Sequence, residues 1–417
     1  MEHKLIDHLF RHHSGKMVSV LIRIFGLSNL DIIEDAVQDT FIKASIVWRT
    51  KRPENPEAWL TQAAKNRVVD IFRKLQTEKR NSPHLSQGIH TIAIHELFLD
   101  DEIDDAQLRM IFTACHPSLS AKVRIAFALK TVSGFSSKEI ASALLTKEET
   151  IKKRLTRARQ SIQVNKIKFS IPQGKTLKAR LSSVLEVLYL IFNEGFHSNS
   201  KKNLVRSDLC GEAMRLCQLV IKHKQMGTPD AYALFALMCF HSSRLNAKIN
   251  SNNEILDLKQ QDRSQWHFPL IKLGNSMMNK AVETDQFSSY HFEAAIAGEH
   301  MRSGSFEDTN WDKIRDWYEA LYKINPMPSY VLTLAVISIQ VEDYSNAKVY
   351  FNKLNPEDLQ QRIYLYYGAK ADYYAATNNF KKAIIFIDKA LETVINLSEK
   401  EYLQKKKEKL IDRLKLI

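Results

Sequence analysis

The stretch FSSKEIASALLTKEETIKKRLTRARQSI, residues 135–162, decides how the N-terminal part of the chain folds. Ser136 stands three residues before Glu139 and Thr146 three before Glu149, so each half opens on an S/T-x-x-E capping box that predicts a helix start. The two starts lie ten residues apart, which predicts a tight helical corner, with Leu144-Leu145-Thr146 where such corners often carry glycine. In the second helix Ile151, Leu155, Ala158 and Ile162 form one apolar stripe. Thr150, Lys152, Lys153, Arg154, Arg157 and Arg159 are left on the flanks and outer face. A solvated helix normally mixes charge signs, but here five cations fall between 152 and 159 with no acid. That is the footprint of a helix-turn-helix whose second helix meets phosphates, set against the plainer reading of a solvated basic face.

Composition bounds the rest. The 417 residues are 44% hydrophobic with only 12 Gly and 10 Pro, which predicts an all-α chain of two to four helical domains with real cores. The formal net charge is +13, and residues 1–170 hold 27 basic against 19 acidic side chains, so the excess is densest around the helix-turn-helix. No apolar run is long enough to span a bilayer and MEHKLIDHLFRHH has no signal-peptide core, so a cytoplasmic protein with no membrane partner is expected. Cys115, Cys210, Cys217 and Cys239 show no C-x-x-C pairing, and His8, His12 and His13 lack a nearby carboxylate or cysteine; no metal and no cofactor are expected.

Upstream, DIIEDAVQDTFIKASIVW (31–48) places Ile33, Val37, Phe41, Ala44 and Trp48 on one helical face and Asp31, Glu34, Asp35, Gln38 and Asp39 outside it. An acidic face suits a basic protein partner and not DNA, although solvation alone would account for it equally well. Then the charge inverts. Asn55 as N-cap and Pro56 at the first helical position open PEAWLTQAAKNRVVDIFRKLQ, with Leu60, Ala64, Val68, Ile71 and Leu75 as the buried stripe. Trp59 with Gln62, Lys65, Asn66, Arg73 and Lys74 supplies the aromatic, amide and basic groups that hold single-stranded nucleic acid, while a lone tryptophan is more often core. Residues 76–107, with NSPHLSQG and DDEIDD, read as a flexible, self-repelling tether.

Three motifs in this order, DIIEDAVQDTFIKA, NPEAWLTQAAKNRVVDIFRK and FSSKEIASALLTKEETIKKRLTRARQSI, resemble regions 2 and 4 of the extracytoplasmic-function class of bacterial sigma factors. The resemblance implies region 2 over 1–80, an acidic linker over 81–107 and region 4 over 108–170, with core RNA polymerase and promoter DNA as partners. It implies that Asp35, Gln38, Asp39 and Phe41 belong to the helix that engages polymerase. Trp59, Lys65, Asn66, Arg67, Arg73 and Lys74 would belong to the segment that captures the −10 element, and Thr150, Lys152, Lys153, Arg154, Arg157 and Arg159 to the helix that reads the −35 element.

Residues 171–417 go beyond such a two-domain factor. LSSVLEVLYLIFNEGF, YHFEAAIAGEHM and NWDKIRDWYEALYKINPMP resemble the subgroup with a C-terminal extension of tetratricopeptide-like helices. An internal repeat supports this: Ala335, Tyr344, Ala347 and Phe351 recur as Ala371, Phe380, Ala383 and Ile387, each displaced by 36 residues. EKEYLQKKKEKLIDRLKLI is then a charged capping helix, and the array offers a groove for a protein partner. NEGFHSN supplies Asn193, Glu194 and His197, but without a phosphate loop, zinc pair or nucleophile elbow an enzyme is not expected. The expected function is polymerase-dependent promoter selection regulated by the extension; the alternative is a stand-alone helix-turn-helix regulator with a protein-binding repeat domain.

Overall fold

The computed structural model describes residues 2–78, 100–144, 146–196, 205–250, 256–395 and 397–415. Among the described residues the chain is built from α-helices joined by turns and short 3-10 segments, with no β-strand, as composition and periodicity predict. It divides into two compact units, residues 1–194 with 211–222, and residues 195–210 with 223–417.

The first unit opens with α1 (Glu2–Phe25), α2 (Leu30–Val47) and α3 (Pro56–Glu78). It continues through α4 (Asp100–Ala114), α5 (Ala121–Thr131), α6 (Ser137–Ala143) and α7 (Glu148–Val164). Helix α1 is its centre: Met17, Val18, Val20, Leu21 and Ile22 are all buried, and the helix packs on α2, α3, α4 and α5. At Gly15 the approach to the end of α5 is so close that an added Cβ would lie 1.9 Å from the carbonyl oxygen of Val132. Only glycine fits that crossing.

Two sequence expectations change here. The acidic stretch DDEIDD is not a tether but the start of α4, which begins at Asp100; residues 79–99 lie outside the described part. Acids in the first turn of a helix face its positive dipole end, and these also meet cations: Arg23 pairs with Glu102 and Asp105, and Asp105 with Arg109 at 2.7 Å. The second capping box is also absent. Ser136 and Glu139 form the first one reciprocally, at 3.2 and 2.8 Å, but α7 starts one residue later than Thr146 predicts, with Lys147 at the N-cap and no side-chain cap.

Helices α8 (Lys175–Phe196) and α9 (Ser207–Lys222) follow. Arg180 donates to the carbonyl of Phe112, Arg124 pairs with Glu186 at 3.0 Å, and Arg215 donates to Gln107 at 3.1 Å. Most of α8 and the later part of α9 thus pack on α4 and α5, so the boundary expected after residue 170 falls after Glu194, and the first unit takes up 211–222 again.

The second unit contains α10 (Pro229–Ser243), α11 (Phe268–Ala281), α12 (Ser289–Arg302), α13 (Trp311–Ile324), α14 (Pro328–Gln340), α15 (Tyr344–Lys353), α16 (Ile363–Ala376), α17 (Phe380–Thr393) and α18 (Leu397–Lys415). Helix α10 is buried on nearly every side, from Ala231 through Phe240, between α11 and α12. The pairs α14–α15 and α16–α17 repeat to the atom. Glu342 and Asn378 take left-handed φ of 60° and 58°, and the amides of Asp343 and Asn379 donate to Ser338 and Tyr374 at 2.8 and 2.7 Å. The side chains of Asp343 and Asn379 then cap α15 and α17. Ala335, Ala347, Phe351 and their partners Ala371, Phe380, Ala383 and Ile387 are buried where the helices cross; Tyr344 is half-buried. Helix α18 closes the end through buried Leu403 and Leu410 and ion pairs of Lys406 with Asp372 and Lys407 with Asp388, both 2.7 Å.

Candidate protein and nucleic-acid interface

Helix α2 buries Ile33, Val37, Phe41 and Ala44, with Trp48 just beyond its end, and turns Asp35, Gln38 and Asp39 to solvent. Phe41 therefore differs from the other three residues expected to meet polymerase. It is 4% exposed, lies edge-on to Phe10 at 4.9 Å, and acts by fixing the helix. On the outer face the helical spacing continues into Ile42 and Ile46, 52% and 62% exposed. These two isoleucines are missing from the sequence expectation, although their i+4 steps from Gln38 and Ile42, off the buried stripe, are the signal that marks them. Ile32, Asp35, Gln38, Ile42, Arg67 and Ile71 border a surface groove of about 460 Å³.

Asn55 caps α3 by accepting from the amide of Ala58 at 3.0 Å, as Asn-Pro predicts. Leu60, Ala64 and Val68 are buried beneath it, and the side chain of Leu75 is outside the description. Trp59 is half-buried and packs edge-on against buried Trp48 at 5.5 Å, so part of its ring is core and part lines a groove. That groove, about 540 Å³, also presents Lys43, Gln62, Asn66 and Arg67, with Gln62 donating to Asn66 at 3.0 Å. Arg67 pairs with Asp39 at 2.8 Å, joining one residue from each of two expected sets. Both are nearly half exposed, so the pair contributes about 1 kcal/mol or less and is easily exchanged for a ligand contact. Lys65 is half-buried, while Arg73 and Lys74 point to solvent.

Helix α7 buries Ile151, Leu155, Ala158 and Ile162, as the stripe predicts. Lys152, Lys153 and Arg157 are exposed, Thr150 and Arg154 half-buried, and Lys152 is bridged to Glu148 at 2.9 Å, which raises its pKa. Arg159 is different. Its guanidinium lies 2.5 Å from Asp31 and 2.5 Å from Glu34, both at the start of α2. Position 159 flanks the apolar stripe, one helical turn from both Leu155 and Ile162, and there a neighbouring helix captures it. Glu34 is only 12% exposed; burial pushes its carboxyl up against the opposing pull of Arg159 and Lys130. His13, one of the three histidines considered for a metal, pairs with Glu57 at 3.0 Å. His197 lies outside the described residues.

An acid-and-isoleucine helix, an aromatic-basic groove and a basic helix-turn-helix lie within one helical unit, surfaces of the kinds that meet a protein and a nucleic acid. Comparison with known proteins is specific. Sigma-70 region 2 matches residues 9–78, Sigma-70 region 4 matches 109–162, and a family of unknown function matches 180–282. An uncharacterised protein of Rhizobium meliloti (strain 1021) is 32% identical over 393 residues, which is 93% of this chain and 91% of that protein. The ECF RNA polymerase sigma factor SigE of Mycolicibacterium smegmatis is 26% identical over 157 residues, 38% of this chain and 60% of its own. No solved structure matches the chain. The chain thus carries the region 2 and region 4 domains of sigma-70 family factors, which are initiation factors and not enzymes.

Proposed function

We propose that this protein is a sigma factor of the extracytoplasmic-function class that binds core RNA polymerase through α2, captures the −10 element at the α2–α3 groove and reads the −35 element with α7. The observation that carries the reading is the outer face of α2, where exposed Ile42 and Ile46 continue the line of Asp35, Gln38 and Asp39. Apolar anchors ringed by charge fit a protein partner and have no use in a plain operator-binding regulator. Phe41 supports this face from below; Asp35, Gln38 and Asp39 make the contact. Trp59, Lys65, Asn66, Arg67, Arg73 and Lys74 hold the opened strand, and Thr150, Lys152, Lys153, Arg154 and Arg157 meet the duplex. Arg159 joins them once it leaves Asp31 and Glu34.

The second unit is proposed to be a tetratricopeptide-like domain that binds a protein partner and controls the first. The shared turn of α14–α15 and α16–α17, with the same left-handed residue and the same cap 36 residues apart, supports a stacked repeat. Run-off transcription with purified core polymerase on a genomic fragment library tests the whole reading: protein-dependent transcripts sharing an upstream motif are expected. Tight duplex binding with no transcripts would sink it in favour of the stand-alone regulator. Removing residues 223–417, which leaves residues 211–222 of the first unit in place, should change transcript yield strongly, and an unchanged yield would remove the control function.

A further inference from the structure

We propose that the second unit binds a small oxyanion, a phosphate, sulfate or carboxylate group of a metabolite, where the end of α10, the 3-10 turn at Arg263–Gln265, the end of α12 and the start of α13 meet. Four buried nitrogens on residues there have no hydrogen-bond partner among the described residues: Arg263 Nη2, Trp266 Nε1, His300 Nδ1 and Trp311 Nε1. Their residues form one cluster. Arg263 donates through Nη1 to the carbonyls of His300 and Ser303 at 2.8 and 2.6 Å, its guanidinium lies 4.5 Å from the Trp266 ring, and the rings of His300 and Trp311 meet edge-on at 5.5 Å. Trp266 is 5% exposed, so water from the bulk does not serve its N–H.

Three of the four nitrogens can only donate, and the fourth donates in one tautomer. A cluster of donors without acceptors is satisfied by a ligand that offers acceptors alone, which is what an oxyanion is. The charge agrees. Arg244, at the C-cap of α10, makes only long contacts to Gln261 and His241, 3.4 and 3.5 Å, and forms no ion pair among the described residues; nor does Arg263. Arg244 lies over the Phe196 ring at 4.9 Å and adds positive charge nearby, and Lys248, 3.7 Å from the same ring, is held down to about 7 by burial and by Arg244. The acids closest to Arg263 are engaged elsewhere: Glu307 pairs with Lys259 at 2.9 Å and Asp308 accepts from Ser305 at 2.7 Å. Burial first, and then Arg244 and Arg263, hold His300 down at about 4, so its ring is neutral at pH 7 and adds no charge of its own. The inference does not depend on the sigma-factor reading, because it is tested without polymerase or DNA.

The test is isothermal titration of the full-length protein with sodium phosphate, sulfate and acetate in a Tris chloride buffer. One saturable site per chain is expected, and the tightest anion names the ligand class. Arg244→Gln should weaken it about tenfold or more, as loss of a charge-assisted contact does. Trp311→Phe, which keeps an aromatic side chain but removes the pyrrole half of the indole with its N–H, should weaken it several-fold while the unliganded protein keeps a single cooperative melting transition. Lys153→Ala and Arg157→Ala should leave it untouched. No saturable binding of any of the three anions at millimolar concentration would overturn the proposal. So would binding that survives Arg244→Gln and Trp311→Phe but is lost in Lys153→Ala, which would put the anion on α7.

Discussion

Helices α2 and α7 bury the same kind of stripe and show solvent opposite things. The inner faces are interchangeable in chemistry: Ile33, Val37, Phe41 and Ala44 in one, Ile151, Leu155, Ala158 and Ile162 in the other. Outside, α2 mixes carboxylates with two exposed isoleucines, whereas α7 presents Lys152, Lys153 and Arg157, its exposed Val164 standing apart at the last position of the helix. A face with apolar anchors gains by desolvation and takes its specificity from charge, which suits another protein. A face of cations alone gains by releasing counterions from a polyanion. Reversing α2's charge should therefore be the harshest blow. Asp35→Lys is expected to weaken core polymerase binding by about 100-fold, in line with placing a like charge in a steered interface, while duplex binding is retained. Fluorescence anisotropy with labelled core enzyme measures it, and unaltered polymerase affinity would return the acidic face to mere solvation.

On the basic side the expected losses are smaller and have a distinct signature. Lys153→Ala and Arg157→Ala should each weaken duplex binding and each lower the slope of log K against log salt by about 0.9, one phosphate contact apiece. Both side chains are exposed and the helix core is untouched, so helicity should not change. A slope that stays constant in either variant would take that residue off the duplex.

How much of this contrast is legible in the sequence depends on whether a residue's role is set within its own helix. The stripes of α2 and α7, the first three members of the α3 stripe (Leu60, Ala64 and Val68, with Ile71 half-buried), the Asn55 cap and the 36-residue repeat are local or periodic, and they stand in the sequence as they stand in the fold. What involves a second element is not legible. DDEIDD read as a tether because its helix is completed by Arg23 from α1, far away in the chain. Arg159 read as one more cation on a basic face because nothing near it announces Asp31 and Glu34. Ile42 and Ile46 were legible by spacing, yet apolar residues in a helix are assigned to cores by habit, and only burial shows that these two are outside.

Arg159 is where the two helices meet, and loosening it blurs the contrast. Glu34→Gln keeps the shape of the nearly buried side chain and removes its charge, leaving Asp31, 66% exposed, as the remaining anchor. Free protein should then bind duplex a few-fold more tightly, as α7 regains a cation. Mild acid should have the same effect, because burial raises the Glu34 carboxyl above its ordinary value, so it takes up a proton at a higher pH than the exposed carboxylates do. Equal duplex affinities for Glu34→Gln and the parent at neutral pH would show that the contact does not restrain α7.

The smallest effect separates the scaffold of α7 from its charge. Ser136 and Glu139 satisfy two amides at the start of α6 by a reciprocal pair of hydrogen bonds, whereas α7 begins at Lys147 with no side-chain cap, leaving Thr146 outside that role. Ser136→Ala should cost about 1 kcal/mol, the usual loss for an N-cap, and Thr146→Ala should stay within about 0.5 kcal/mol. Thermal melts of the two variants measure the difference. Because neither change touches a cation, the salt slope of duplex binding should remain that of the parent in both, even where Ser136→Ala lowers the affinity by loosening the corner. Should Ser136→Ala reduce the slope, the corner itself would be touching phosphate, and the division of α6 as support and α7 as contact would have to be redrawn.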